Sequence, residues 1–182
     1  MENDLIAAEK LSFDRFREEV LRDYRLACES REASLMGRKE VLTGKAKFGI
    51  FGDGKELAQI AAAKFFRPGD YRAGYYRDQT FVFASKLATL EQFFAQLYAN
   101  PDNNEDPFSG GRQMNSHFAT PNVDANGEWL PLSQQKNITS DMAPTAGQMP
   151  RALGLAYTSK VFRKVEQLKA FPELSDNGNE VC

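Results

Sequence analysis

Four short stretches of the 182-residue chain carry residue types able to do chemistry. Tyr75-Tyr76-Arg77-Asp78 sets a guanidinium beside two phenols. An arginine so placed can clamp a phosphate with parallel N–H donors, and the same four residues equally make a salt-bridged turn. Gly110-Gly111-Arg112-Gln113-Met114 offers pliant backbone next to another arginine, and His117, the one histidine, follows it. Imidazole titrates near neutrality, although a lone histidine is more often structural. Sites built on several histidines are excluded unless another chain contributes them. Ala143-Pro144-Thr145-Ala146-Gly147-Gln148-Met149-Pro150 is a small-residue loop feeding a helix. Exposed N–H groups and the helix dipole suit close approach of a cofactor there; an ordinary tight loop is the alternative. Gly52-Asp53-Gly54 supplies the hard oxygen that Mg2+ takes. Paired asparagines that could complete such a site, Asn103-Asn104, lie too far on, so the triplet reads as a loop opening a helix.

The elements that must position these groups follow from apolar periodicity. Leu11 to about Met36 reads as a helix with Ser12 as N-cap and Phe13, Phe16, Val20, Leu21, Tyr24 and Ala27 at three- and four-residue steps. This amphipathic face is expected to pack on the body or on a partner. Glu40 to Gly54 loses the period. Lys55 to Phe66 resumes it, with Leu57, Ile60, Ala61 and Phe65 on one side. Arg67-Pro68-Gly69-Asp70 is a stop and turn. Tyr71 to Tyr76 is extended, Thr80 to Lys86 is ambiguous between strand and helix, and Thr89 to Tyr98 is a helix capped by Thr89. Asn100 to Lys136 is irregular and long enough to be functional. Pro150 sits in the first turn of a helix running to about Ala170, with Leu153, Ala156, Tyr157, Val161 and Val165 along its apolar side. Glu180-Val181-Cys182 reads as the opening of a strand.

The bulk properties narrow the function classes. Apolar residues make up 42% and charged residues 26%, values of a folded domain. A net charge of -2 leaves no basic footprint for nucleic acid. No apolar run approaches the roughly 20 residues of a membrane span, and the polar, acidic start lacks the core of a secretory signal. Cys28 and Cys182 have no partners at metal-ligand spacing and are too few for a disulfide scaffold. The expected compartment is the cytoplasm.

The order of the motifs is more specific than any one of them. Gly54-x-Glu56-x-x-x-Ile60, Arg67-Pro68-x-Asp70, Tyr76-Arg77-Asp78 and Leu97-Tyr98-Ala99-Asn100 come first. Gly111-Arg112-Gln113-Met114-x-x-His117 and Ala146-Gly147-Gln148-Met149-Pro150-x-Ala152-x-Gly154-x-Ala156 follow. From Arg38 to Arg163 this succession resembles the alpha subunit, or alpha half, of the decarboxylase component of 2-oxo acid dehydrogenase complexes. The branched-chain members are the most similar, through the R-Q-M-x-x-H element.

That resemblance implies an α/β thiamin-diphosphate-binding fold. The chain would be its mostly helical N-terminal portion, ending before most of the parallel sheet, with residues 1–38 as a helical arm and 39–182 as a partial cofactor domain. It implies oxidative decarboxylation of a 2-oxo acid and acyl transfer to a lipoyl group. Tyr76 and Arg77 match the family's cofactor-binding pair, with the guanidinium on the diphosphate. Ala143 and Thr145 match positions that touch the aminopyrimidine and brace the bent cofactor. Thr145 is less apolar than the usual residue, so its methyl or neighbouring Met142 would brace it. Hydroxyl residues of a potassium loop are replaced by Ala143 and Gly147, so potassium is not implied. The family's Mg2+-binding segment would begin just after Val181, outside this sequence. Implied partners are a beta subunit or half, a lipoyl acyltransferase core and further copies of the same protein. The isolated piece is expected to be inactive. A second reading is a non-catalytic helical oligomerisation module built on the arm.

Overall fold

The structure, a computed structural model, describes residues 12–182. Leu11 and the segment before it lie outside the described residues. Helix α1 spans Phe13–Leu42. Its N-cap is Ser12, whose hydroxyl accepts from the Arg15 N–H at 3.3 Å. The helix continues past Met36 to Leu42, with Gly37 packed inside it. A Cβ at Gly37 would lie 2.3 Å from the Phe51 ring. Ser30, Ala33, Ser34 and Gly37 are the buried positions of α1, a strip of small residues that lets the helix lie close on the body. The apolar face expected to pack stays open instead: Phe13 is 74% and Tyr24 66% exposed.

Helix α2 is Glu56–Ala63 and buries Glu56, Ile60 and Ala63. Leu57 and Phe65, expected on the inner side, are exposed. The helix is turned by Glu56. Its carboxylate takes two N–H donors of Arg31 at 2.7 and 2.9 Å and the Gly54 N–H at 3.0–3.1 Å, which satisfies a charge that burial would otherwise penalise. The Gly52–Gly54 loop does open this helix, and Asp53 pairs with Arg38 at 2.5 Å.

Strand β1 is Tyr71–Tyr75. The Arg67–Asp70 turn enters it, with Gly69 at φ +90° and the Asp70 carboxylate accepting from the Arg67 N–H at 2.9 Å. Residues 79–84 resolve as a helix, α3 (Gln79–Ala84), and α4 is Leu90–Leu97. Thr89 and Gln92 make a reciprocal capping box on α4. Strand β2, Asn137–Met142, lies parallel to β1, with Tyr71 opposite Asn137, Arg72 opposite Ile138 and Tyr75 opposite Met142. The register breaks between Ala73 and Tyr75. Helix α5 is Gln148–Lys164 and is followed by a 3-10 turn, Glu166–Ala170. Pro150 does sit in its first turn. Its expected apolar side is uncovered among the described residues, Leu153 being 72% and Tyr157 66% exposed. After the final turn, the Val181 carbonyl accepts from the Tyr71 N–H at 2.8 Å, a strand-like place beside β1.

The architecture is thus α/β and helix-rich, with a two-stranded parallel sheet. The core joins α1, α3, α4, the long loop and β2 through Ala33, Val82, Phe83, Phe93, Leu97, Phe118 and Ile138. Edge-to-face ring pairs, Phe83 on Phe93 and Phe108 on Phe118, fix its packing. Among the described residues no helix is long and apolar enough to cross a membrane.

Arg31 holds the Glu56 carboxyl down to about 2. Its contribution to stability is complete above the ordinary glutamate range and is lost as pH falls toward 2. Its ceiling is ~3 kcal/mol, reduced because the Arg31 side chain is 46% exposed. Glu56→Gln should therefore flatten the fall in unfolding free energy between pH 4.5 and 2. Urea titrations across that range check this, and identical acid profiles for the two proteins would contradict it.

Candidate functional site

The site begins with a buried ion pair. Arg72 Nη1 donates to both oxygens of Asp141 at 3.0 and 3.2 Å. The Arg72 side chain is 7% exposed and that of Asp141 not at all. The second terminal nitrogen, Nη2, reaches Asp78 at 3.1 Å and the Tyr75 carbonyl at 3.4 Å. One guanidinium therefore joins β1, the turn after it and β2. Gly74 makes room for it, since a Cβ there would stand 2.0 Å from the guanidinium carbon. Asp141 also accepts from the Phe118 N–H at 3.2 Å. Burial pushes the Asp141 carboxyl up to about 6, against the pull of Arg72 and the Phe118 N–H.

Tyr76 and Arg77 sit at the apex of the turn from β1 to α3. Asp78 closes that turn: its N–H donates to the Tyr75 carbonyl at 3.0 Å, and its carboxylate accepts from the Tyr75 N–H at 2.9 Å. The Arg77 guanidinium lies over the Tyr76 ring, 5.5 Å from its centroid. Arg77 Nε is buried and has no hydrogen-bond partner. The Tyr75 and Tyr76 hydroxyls are bonded to each other, and the Tyr75 hydroxyl lies 3.3 Å from that of Thr145. The contacts with Thr145 and Tyr76 lower the Tyr75 phenol, while the contact with Tyr75 raises that of Tyr76.

The loop after β2 faces this turn. The Gly147 N–H donates to the Pro144 carbonyl at 3.0 Å, and Ala146 takes a positive φ of 64°. The Met142 thioether folds onto Gly147, 2.9 Å from where a Cβ would be. Gln148 Oε1 is a second buried atom without a partner. A cavity of about 160 Å³ is walled by Phe48, Ile50, Tyr76, Met114, Asn115, His117 and Ala143. A larger groove, about 850 Å³, runs past β1 between Phe65, Phe66, Phe81 and Val181 and holds none of the four expected site residues.

His117 is held rigidly. Gln96 receives its backbone N–H at 3.1 Å and donates to its carbonyl at 2.9 Å. Its Nδ1 is 3.2 Å from the Asn115 carbonyl, which fixes the ring orientation. Its ring stacks near that of Tyr76 with centroids 6.4 Å apart. Asn115 in turn bonds both backbone groups of Ile50 at 2.9 and 3.2 Å. Buried Asp106 gathers the N–H groups of Phe108, Ser109 and Gly111 and the Ser109 hydroxyl, and so shapes the glycine loop before His117.

The structure therefore brings Tyr76 and Ala143 to one cavity with His117. Arg77 stacks on Tyr76, and Thr145 is joined to the group through Tyr75. Sequence reasoning missed Arg72 and Asp141. Their signal is a charge in each of two strand segments, visible only once the strands are paired.

The turn and the loop thus lie at neighbouring ends of two parallel strands, Tyr75 of β1 being opposite Met142 of β2. Residues 27–161 match the family described as dehydrogenase E1 component, and the chain belongs to that family. The chain is 33% identical over 138 residues to the 2-oxoisovalerate dehydrogenase subunit alpha of Bacillus subtilis (strain 168), covering 74% of this chain and 36% of that protein. It is 29% identical over 117 residues to the mitochondrial 2-oxoisovalerate dehydrogenase subunit alpha of Caenorhabditis elegans, covering 64% and 23%. A mitochondrial alpha 1 subunit of the same name from Arabidopsis thaliana is 28% identical over 121 residues, covering 66% and 22%. The chain thus spans between 22% and 36% of the length of these relatives. The resemblance seen from Arg38 to Arg163 is borne out, and the family match begins earlier, inside α1.

Gly74→Ala is expected to push the Arg72 guanidinium off Asp141. Parting a buried pair costs about 3–5 kcal/mol, read as a lower urea midpoint. An unchanged midpoint would contradict the account. In the native protein the Asp141 carboxyl should titrate near 6 by NMR. Because its folded value is raised, this group favours the fold more as pH falls from about 6 into the ordinary aspartate range, the opposite sign to Glu56.

Proposed function

We propose that this chain forms one wall of a thiamin diphosphate site in the decarboxylase component of a 2-oxo acid dehydrogenase complex. The observation that carries the reading is Arg77. Its Nε is a buried donor without a partner, and its guanidinium lies over the ring of Tyr76, which lines a cavity together with Ala143. A buried cationic donor left unpaired is costly, and a diphosphate oxygen satisfies it with a charge-assisted bond. The residues present therefore fit the group.

Arg77 would hold the diphosphate, with Tyr76 beneath the guanidinium. Ala143 and Thr145 would meet the aminopyrimidine from the facing loop, whose small residues allow the backbone close. Met142 is folded onto Gly147, which leaves Thr145 as the side chain nearer the tyrosines. When bound, thiamin diphosphate supplies the carbanion-stabilising centre that decarboxylation of a 2-oxo acid needs. The residues of this chain orient and desolvate it.

On this reading the reaction is oxidative decarboxylation of a 2-oxo acid with acyl transfer to a lipoyl group. The partners are a beta subunit or half, which supplies the facing wall, a lipoyl acyltransferase core, and further copies of the enzyme. Mg2+ accompanies the cofactor, bound by residues outside this sequence. The 182-residue chain by itself is then inactive and binds Mg2+-thiamin diphosphate poorly. Calorimetry on the isolated chain that gave tight binding would contradict this. The exposed apolar residues of α1, among them Phe13 and Tyr24, favour an assembly role for the arm beside the cofactor role.

In the assembled enzyme, Arg77→Ala should weaken thiamin diphosphate binding by about 10–100-fold, the loss of one or two charge-assisted hydrogen bonds at ~1.5–3 kcal/mol in total. Unchanged affinity would remove Arg77 from the site.

A further inference from the structure

We infer that Gln59 on α2 is a positioning residue for Arg77, holding the phosphate-binding turn from the helix side. The inference rests on the reading that Arg77 takes the cofactor diphosphate. The start of α3 is anomalous. Asp78 occupies the N-cap position, yet its side chain makes no capping bond. An aspartate there ordinarily accepts from the second or third N–H of the helix. Here its carboxylate is turned back to the Tyr75 N–H and to Arg72, so the third N–H, that of Phe81, needs another acceptor.

Gln59 supplies it from outside the helix. Its Oε1 accepts from the Phe81 N–H at 3.0 Å. Its Nε2 donates to the Arg77 carbonyl at 2.9 Å and lies 3.5 Å from Asp78 Oδ1. Arg77 and Phe81 are four apart, so their carbonyl and N–H are the two groups that an α-helical bond would join. The amide of Gln59 stands between them and takes both. The helix consequently starts at Gln79, and Tyr76 and Arg77 remain in the turn.

The same carbonyl is confined from another direction. A Cβ on Gly52 would lie 2.2 Å from the Arg77 carbonyl oxygen, so the backbone of residue 52 is packed against it. Gly52 is itself tied to the start of α3, its N–H 3.4 Å from Gln79 Oε1. The Arg77 backbone is therefore fixed by Gln59 and Gly52, while Asp78 fixes the strand side of the turn. The backbone is thus fixed while Nε remains a buried donor without a partner. Such preorganisation favours binding by removing the ordering cost.

The test measures thiamin diphosphate and unphosphorylated thiamin binding to the assembled enzyme with Mg2+ by calorimetry. The variants are Gln59→Met, Gln59→Glu and Arg77→Ala, alone and combined. Gln59→Met should weaken the diphosphate about 10-fold, the loss of two hydrogen bonds to the turn, and leave thiamin unchanged. Gln59→Glu keeps the acceptor for Phe81 and so preserves the cap. It removes the donor to Arg77 and should show the same selective loss, which keeps the test decisive if Gln59→Met fails to fold. In the Arg77→Ala background neither substitution should matter, because Gln59 acts through Arg77. Equal weakening of thiamin and diphosphate, no weakening in a folded Gln59 variant, or an effect that persists without Arg77 would overturn the positioning role. If Arg77→Ala alone leaves diphosphate binding intact, the cofactor reading fails first and the inference falls with it.

Discussion

The guanidinium of Arg72 is the point at which the sheet, the turn and the loop are joined. It bonds Asp141 on β2 and Asp78 in the turn and lies over the Phe81 ring of α3. Such a buried pair adds little net stability, because desolvating both charges offsets most of their attraction. Its consequence is specificity. A one-residue slip of β2 would turn Asp141 to the opposite face and leave a buried arginine with one half-exposed carboxylate. Only the observed register satisfies Arg72, and this register sets the turn carrying Tyr76 and Arg77 opposite the loop carrying Ala143 and Thr145. The break between Ala73 and Tyr75 falls at Gly74, where the guanidinium needs the space of a side chain.

Other buried polar side chains extend the same logic. Ser30, Ser34, Gln79 and Thr80 link α1 to α3, Gln96 clamps the backbone of His117, Asn115 clamps Ile50, and Asp106 organises the glycine loop. Each satisfies backbone or hydroxyl groups that would be costly to bury alone. The apolar core fills the space between the helices. The polar bonds decide which loop faces which; among the described residues Arg77 Nε, Gln148 Oε1 and Ser85 Oγ are buried without a partner, the first two in the turn after β1 and at the start of α5.

Much of the frame was legible from local signals. Ser12 and Thr89 mark helix starts by capping chemistry, and the Arg67–Asp70 turn and Pro150 punctuate the chain as expected. The cavity pairing of Tyr76 with Ala143 follows the order of motifs that first suggested a family. What escaped depended on distant partners. Asp141 lies 69 residues from Arg72, and β2 carries no apolar alternation, because one of its inward residues is a carboxylate. The inner face of α2 differs from its apolar periodicity for a related reason: Glu56 is drawn inward by Arg31, which no periodicity reveals. The apolar side of α5 is where expected, and its Leu153 and Tyr157 meet no covering element among the described residues. Gln59 is silent in sequence, since its importance lies in replacing a cap that Asp78 has given up.

On the proposed reading, the Tyr76–Arg77 turn and the Ala143–Thr145 loop would form two sides of one thiamin diphosphate cleft. A crystal structure of the assembled enzyme with thiamin diphosphate and Mg2+ tests it most directly. Diphosphate oxygens are expected on the Arg77 guanidinium, the aminopyrimidine against the backbone at Ala143 and Thr145, and the Arg72–Asp141 pair intact beneath them. A diphosphate bound away from Arg77, with the turn and the loop both clear of the cofactor, would contradict it.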